Sequence, residues 1–235
     1  IMYGSTMFFI ALKENNTFDK RLWSSPWLYK GEYSYMAGTS TSGTVTQWFL
    51  KEFCSDLKTD SAFKKLTSMA EKSPVGSNGL LTLPYFSGER TPIQNLNAKG
   101  VLFGLNLTHS RADIYRSIIE GISYGASHII ETFCDVGIEP KNLFSVGGGV
   151  KNKIWSQSIS DISGFNQIVR KKTIGASYGN SFLAALAINA VEKTDIIRWN
   201  PTDKIIFSKA NTVHKKNYKN FKDLYNRTAE LMNKI

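Results

Sequence analysis

The hydrophobic pattern of this chain changes character near residue 40. Up to Met36 the apolar residues fall in short runs broken by turn chemistry, which predicts strands. Met2-Tyr3 and the run Met7 to Leu12, with Phe8, Phe9 and Ile10, flank a small-residue turn at Gly4-Ser5-Thr6. Glu14 to Asp19 is polar and reads as a hairpin-like loop. Trp23, Trp27, Leu28, Tyr29, Tyr33, Tyr35 and Met36 form aromatic-rich strands interrupted by Pro26 and Gly31. After the small-residue loop 37–43 the spacing turns helical. One helix begins near Thr44 with Trp48, Phe49 and Phe53. A second is expected from Asp60 to Lys72, with Phe63, Leu66, Met69 and Ala70 at helical spacing.

Residues 73–79 carry turn chemistry, and 80–86 and 101–107 are apolar runs, the first read as a strand. Ser110 and Asp113 have capping-box spacing, with aspartate in place of the usual Glu or Gln, and open a helix to about Cys134. Gly121 and Gly125 put a Cβ-free strip on that helix, where a neighbour can pack closely. The apolar run 143–146 predicts a buried strand that ends in Gly147-Gly148-Gly149. A helix from Lys153 to Ile162 should stop at Gly164, and Gln167 to Arg170 is a short strand. Gly175 to Gly179 leads an alanine-rich helix suited to close packing against a sheet. The last helix, about 212–233, is expected to bury Val213, Tyr218, Phe221, Leu224, Tyr225 and Leu231. Strands first, then strands alternating with helices, give an α/β layered domain.

Composition narrows the function classes. At 235 residues with 42% hydrophobic and 20% charged, the chain can bury a sizeable core. Its apolar runs are too short to span a membrane, so no membrane partner is expected. Cys54 and Cys134 stand far apart and the three histidines are scattered, which suggests neither a disulfide framework nor a metal site. A reducing cytoplasm is the expected compartment. The net charge of +10 comes largely from lysines near the C-terminus. It reads as a solvated helix face, and no motif supports nucleic-acid binding. The chain opens on Ile-Met-Tyr as a strand–turn–strand already under way, so it is expected to be a piece of a longer protein.

Candidate chemistry centres on the three glycines. A strand ending in Gly147-Gly148-Gly149 ahead of a helix offers backbone N–H groups and a surface without Cβ, where a ring or a phosphate can approach. From the glycines alone, a nucleotide site and a plain strand-to-helix turn are equally good readings. Gly4-Ser5-Thr6 offers a permissive backbone and two hydroxyls that could meet a phosphate, although taken alone it reads first as a plain hairpin turn. Gln47, one turn into the helix after Gly43, is placed to reach a base or ribose, or is an ordinary surface glutamine.

The order hairpin turn, glycine-led helix, strand–glycines–helix resembles the second half of an actin-like ATPase domain. More specifically, the chain resembles the C-terminal domain of the FGGY carbohydrate kinases. The family's second signature can be followed through Gly100-Val101-Leu102-Phe103-Gly104-Leu105 to Asp113 and on to Glu120. Within that family, Tyr85-Phe86-Ser87-Gly88-Glu89-Arg90-Thr91-Pro92 and Thr173 to Gly179 look most like xylulokinases. The resemblance extends over essentially the whole chain. It implies an α/β fold of the ribonuclease H-like, actin-like ATPase kind, a mixed sheet flanked by helices. The expected domain is residues 1–235, the nucleotide-side half of a two-domain sugar kinase.

The resemblance also implies roles. Gly4, Ser5 and Thr6 would face the ATP phosphates, and Gly43 and Gln47 the helix start near the nucleotide. Gly147, Gly148 and Gly149 would form the adenosine motif, with Gly148 backing adenine and Asn152 contacting it. Phe8 would wall the sugar pocket. Glu89 and Arg90 are expected to form a structural ion pair or to meet the other domain. Mg²⁺ would be held mainly through the ATP phosphates, with no metal ligands assigned here. The catalytic base, an aspartate, is expected upstream of Ile1, so no catalytic residue is assigned in this chain and no turnover is expected from it alone. The implied reaction is ATP-dependent phosphorylation of a sugar hydroxyl, foremost D-xylulose. Ribulose, gluconate, glycerol and a non-catalytic regulatory paralogue are the alternatives. The sugar would be met mostly by an N-terminal domain, and oligomeric state stays open, a homodimer included.

Overall fold

Alternation along the first 38 residues folds them into an antiparallel sheet with one apolar face turned inward. The computed structural model describes residues 1–57 and 61–235. Strands β1 (Met2–Tyr3), β2 (Met7–Glu14), β3 (Trp23–Pro26) and β4 (Glu32–Gly38) lie in the order β1-β2-β4-β3. Met7 and Phe9 on β2 and Tyr35 and Ala37 on β4 are buried, whereas Ile10, Leu12 and Trp23 are exposed on the opposite face.

Helices α1 (Gly43–Phe53) and α2 (Ala62–Ala70) follow. Asp60, the expected start of the second, lies outside the described residues. Strands β5 (Leu81–Leu83) and β6 (Val101–Phe103) pair antiparallel. Both are shorter than the apolar runs that contain them, of which only the first reads as a strand from sequence. Pro84 has no N–H to donate to a ladder, and Gly104 turns the chain at φ +92°.

The long helix α3 (Arg111–Asp135) starts at the expected capping box. Ser110 accepts from the Asp113 N–H, and the Asp113 carboxylate accepts from the Ser110 N–H at 2.8 Å. Ile118, Ile119, Ile122 and Ile129 on this helix lie in the main core cluster, with residues of the first sheet, α1 and α2. The expected Cβ-free strip is needed at only one of its two positions. A Cβ on Gly121 would collide with the Thr82 carbonyl, while one on Gly125 would meet only Pro84 Cγ at 4.0 Å.

Strand β7 (Leu143–Ser145) runs parallel to β8 (Gln167–Arg170), and helix α4 (Lys153–Ser163) crosses between them. Gly164 ends α4 in the left-handed conformation, as expected. Strand β9 (Thr202–Ile206) pairs antiparallel with β8. It has no counterpart in the sequence reading, because its side chains are mostly exposed and show no alternation. A parallel bridge between Met2 and Val146 joins the two half-sheets, with Tyr3 N–H donating to Val146 O at 2.8 Å. The result is one mixed layer in the order β3-β4-β2-β1-β7-β8-β9. The main core lies between this layer and α1 to α4.

Two expectations about helices are corrected. Helix α5 (Ala176–Ala187) does not pack closely against a sheet. Phe182 is its only buried residue and lies against Trp199, at the end of the short helix α6 (Ile196–Trp199). The chain after β8 thus packs on its own return segment, leaving Ala184, Ala187 and Ala190 outward. In helix α7 (Thr212–Met232), Phe221 and Leu224 are buried and Tyr218 and Tyr225 half-buried, but Val213 and Leu231 are exposed. His214 and Met232, each one position on, take the inward places, so the buried stripe is rotated by one residue at both ends.

Candidate functional site

The two glycine turns meet because β1 and β7 are parallel neighbours. Both strands run out at the same edge of the sheet, one into Gly4-Ser5-Thr6 and the other into Gly147-Gly148-Gly149. Crevices beyond the carboxyl ends of parallel strands are the usual ligand positions of open α/β sheets.

The three consecutive glycines have different physical reasons. Gly147 has φ +98°, and a Cβ there would collide with the backbone of Tyr3. A Cβ on Gly149 would lie 2.7 Å from Trp155 Cζ3 and 3.0 Å from Tyr3 Cβ. The fold itself therefore requires these two. Gly148 is exposed, has no left-handed φ, and a Cβ on it would have nothing within 4 Å. Packing gives no reason for a glycine at 148.

The first turn is held from behind by the start of α1. The Gly43 N–H donates to Gly4 O at 3.1 Å, and the Ser42 and Thr44 N–H groups donate to Ser5 O at 3.0 and 3.1 Å. The Ser42 hydroxyl adds a bond to Gly4 O at 3.0 Å. A Cβ on Gly43 would lie 2.5 Å from Gly4 O, so this glycine is explained by close packing on the turn. These bonds draw the carbonyls of Gly4 and Ser5 toward α1. Among the described residues, the Ser5 and Thr6 hydroxyls have no hydrogen-bond partner, and Ser5 is exposed at the tip. The first N–H groups of α1 are thus spent on the turn. Gln47 is exposed one turn further along.

Asn152 is the N-cap of α4. Its Oδ1 accepts from the Ile154 and Trp155 N–H groups at 3.1 and 3.2 Å, and its side chain also meets the Tyr115 hydroxyl. Phe8 is half-buried on the sheet face opposite Met7 and Phe9, beside Gly38. Among the described residues, no three His, Cys, Asp or Glu side chains gather to hold a metal ion. No helix among them is long and apolar enough to cross a membrane.

Glu89 and Arg90 do not form the expected ion pair. Glu89 is 2% exposed, and its Oε1 accepts the N–H groups of Ser40 and Arg90 at 2.7 Å each, while Arg90 points outward. Burial pushes the Glu89 carboxyl up to about 7 against the pull of those two N–H bonds and the Arg90 charge.

Several residues that the sequence reading did not single out hold the site together. Gln167, fully buried, accepts from the Tyr3 hydroxyl at 2.5 Å and the Ser145 hydroxyl at 2.7 Å. Its amide donates to Ser156 O and to the Ser160 hydroxyl. One side chain thereby fixes β1, β7, β8 and α4 to one another directly beneath the two turns. A glutamine opening a short strand, ahead of Ile168 and Val169, was the only sequence signal. The acidic residues of the signature block are also structural. Glu120 is buried, pairs with Arg116 at 2.8 Å, and accepts from the Gly76 N–H and the Ser77 hydroxyl. Burial works against the Asp113 charge, yet bonds from Ser110, Ser73 and Asn78 outweigh it and hold the carboxyl at about 2.

Comparison with known proteins bears on this geometry. The profile described as the FGGY family of carbohydrate kinases, C-terminal domain, matches residues 1–188. Xylulose kinase of Bacillus subtilis is 32% identical over 201 residues, covering 83% of this chain and 38% of that protein. Gluconokinase of the same organism is 27% identical over 165 residues, covering 67% of this chain and 32% of that protein. The crystal structure of xylulose kinase from Rhodospirillum rubrum superposes with a TM-score of 0.89 at 24% identity. That match covers 99% of this chain and 47% of the other. The fold is therefore that of the FGGY sugar kinases, and the chain spans from a third to a half of the length of these relatives.

Proposed function

The chain belongs to the FGGY family of carbohydrate kinases, and from that premise we propose that it is the nucleotide-side domain of an ATP-dependent kinase acting on D-xylulose. The observation that carries this reading is Gly148, an exposed glycine that packing does not require, next to Gly147, which packs on Tyr3 at the foot of the Gly4–Thr6 turn. Backbone without Cβ at 148 suits a planar base. A turn whose carbonyls are tied back to α1 suits phosphate oxygens on its outer side.

In this reading the hydroxyl and N–H groups of Ser5 and Thr6 meet the phosphates, with Gly4 giving the turn its close approach. Gly43 holds that turn, Gly148 backs the adenine between the structurally required Gly147 and Gly149, and Gln47 and Asn152 lie along the nucleoside. Phe8 stands on the sheet face that would meet the sugar. ATP supplies the transferred phosphoryl group, and Mg²⁺ rides on its phosphates. The residues here would hold and orient the nucleotide, and such positioning is the main protein contribution to phosphoryl transfer. The base aspartate and most sugar contacts would come from an N-terminal domain. The bare apolar sheet face, with Ile10, Leu12, Trp23 and Phe144 between 44% and 51% exposed, is consistent with a surface that meets another domain.

Xylulose is preferred over gluconate because the xylulose kinase relative is the more similar and shares more of the chain. The test is ADP release by the full-length gene product with MgATP over xylulose, ribulose, gluconate and glycerol. Turnover far higher with xylulose is the expected result, and a different preferred sugar overturns the substrate. The 235 residues alone are expected to bind MgATP without turnover. Sugar-dependent ADP production by them would overturn the division of labour between the halves.

A further inference from the structure

The loop from Pro84 to Asn95 is closed on itself and pressed against the segment that supports the first turn. Gly88 has φ +70°, and the Leu96 backbone leaves no room for a Cβ there. Glu89 and Asn95 exchange two backbone hydrogen bonds of 2.8 and 2.9 Å. This closure delivers the Glu89 carboxylate inward, onto the Ser40 N–H at 2.7 Å. Two flanking bonds join the same surfaces: the Thr41 hydroxyl donates to Pro84 O at 2.5 Å, and the Thr91 N–H to Gly38 O at 3.4 Å.

Segment 38–44 in turn carries both ends of the turn. The Thr39 N–H donates to Met7 O, and the Met7 N–H donates to the Thr39 hydroxyl at 2.9 Å. Ser42, Gly43 and Thr44 hold the carbonyls of Gly4 and Ser5. Ser40 sits between these two sets of bonds, and Glu89 is the charged side chain that fixes it. A buried carboxylate without a paired cation is costly to keep. Tyr85 and Arg90 are the titratable neighbours whose charge it feels, and neither makes a hydrogen bond from its side chain to it.

We propose that Glu89 is a positioning residue for nucleotide binding: its carboxylate, through the Ser40 N–H, holds the segment on which the phosphate-facing turn hangs. The proposal rests on the reading of Gly4–Thr6 given above. Glu89 itself touches no reacting atom.

The test uses the 235-residue chain, with amide hydrogen exchange at Ser42, Gly43 and Thr44 and binding of MgADP as separate readouts. Glu89→Ala is expected to speed exchange at those amides and weaken MgADP binding, each by about tenfold, as fits the loss of a buried hydrogen-bond acceptor. Glu89→Gln keeps an oxygen in the accepting position and is expected to restore both. Leu224→Ala loosens the second core, around α7, and is expected to leave exchange at 42–44 lagging behind its general increase. Where Glu89→Ala does not fold, Glu89→Asp withdraws the acceptor by one carbon and serves in its place. Wild-type exchange at 42–44 in Glu89→Ala, failure of Glu89→Gln to rescue, or equal loosening in Leu224→Ala overturns the proposal. Absence of MgADP binding by the wild-type chain overturns the phosphate reading instead, and the exchange readout still judges the hold of Glu89 on the turn.

Discussion

The Tyr3 hydroxyl donates to Gln167 Oε1 at 2.5 Å, linking the second residue of the first strand to the first residue of the eighth. Burial drives the Tyr3 phenol far above its ordinary range, so it stays a neutral donor. Tyr3→Phe removes one donor and leaves Gln167 Oε1 accepting from Ser145, a loss of about 1 kcal/mol. Gln167→Leu removes the acceptor of the Tyr3 and Ser145 hydroxyls and the donor to the Ser160 hydroxyl at once, and should cost about 3 kcal/mol or more. Urea unfolding of both variants measures the ratio, and equal midpoints would show that the glutamine is not the keystone.

The glycines of the triple motif should separate by readout. Gly148→Val leaves stability within about 0.5 kcal/mol of wild type, because the space above it is empty, yet weakens MgATP binding. Gly147→Val strains a left-handed residue against Tyr3 and should be lost to misfolding. Thermal unfolding and nucleotide titration on the same samples decide this. Unchanged ATP affinity in Gly148→Val would remove that residue from the site.

Helix α3 offers a matched pair. Gly121→Ala drives a methyl into the Thr82 carbonyl and should destabilise by about 1–3 kcal/mol. Gly125→Ala meets only Pro84 at an ordinary distance and should stabilise by about 0.5–1 kcal/mol through helix propensity. Denaturant midpoints of opposite sign are the expected result.

Glu89 sets a pH dependence whose sign is fixed. Its folded carboxyl is raised to about 7 from an ordinary 4.5, so its contribution to stability is full below about 4.5 and is lost as pH rises through about 7. Glu89→Gln titrates in neither state. The variant should therefore gain on wild type between those limits, by up to about 3 kcal/mol, and then level off. Urea midpoints at both ends of the window give the difference, and a constant difference would place the carboxyl in an ordinary environment.

What the sequence made legible was local. The capping box at Ser110 and Asp113, the stop at Gly164 and the strand before Gly147 follow from backbone rules that act within a few residues. Strand β9 was hidden because an edge strand with exposed side chains has no apolar alternation. The misjudged packing of α5 has a related cause, since alanine tolerates burial without demanding it. At the site, sequence marked the glycines as a group but not their different reasons, because Tyr3 and Trp155 approach Gly147 and Gly149 only through the fold. The inward turn of Glu89 was equally invisible, since the Glu89–Asn95 closure that buries it pairs residues whose chemistry advertises an exposed loop.

The seam between Met2 and Val146 has a temporal consequence. A ribosome adds about 5–20 residues per second, so the first strand waits roughly 7–30 seconds for the partner that completes its side of the sheet. Until then the hairpin of β1 and β2 exposes an unpaired edge, the kind of surface that invites pairing with other chains. The two glycine turns cannot face each other before that seam closes. Any nascent chain that stalls short of residue 146 therefore carries the first glycine turn on its sheet but lacks the second turn that would face it.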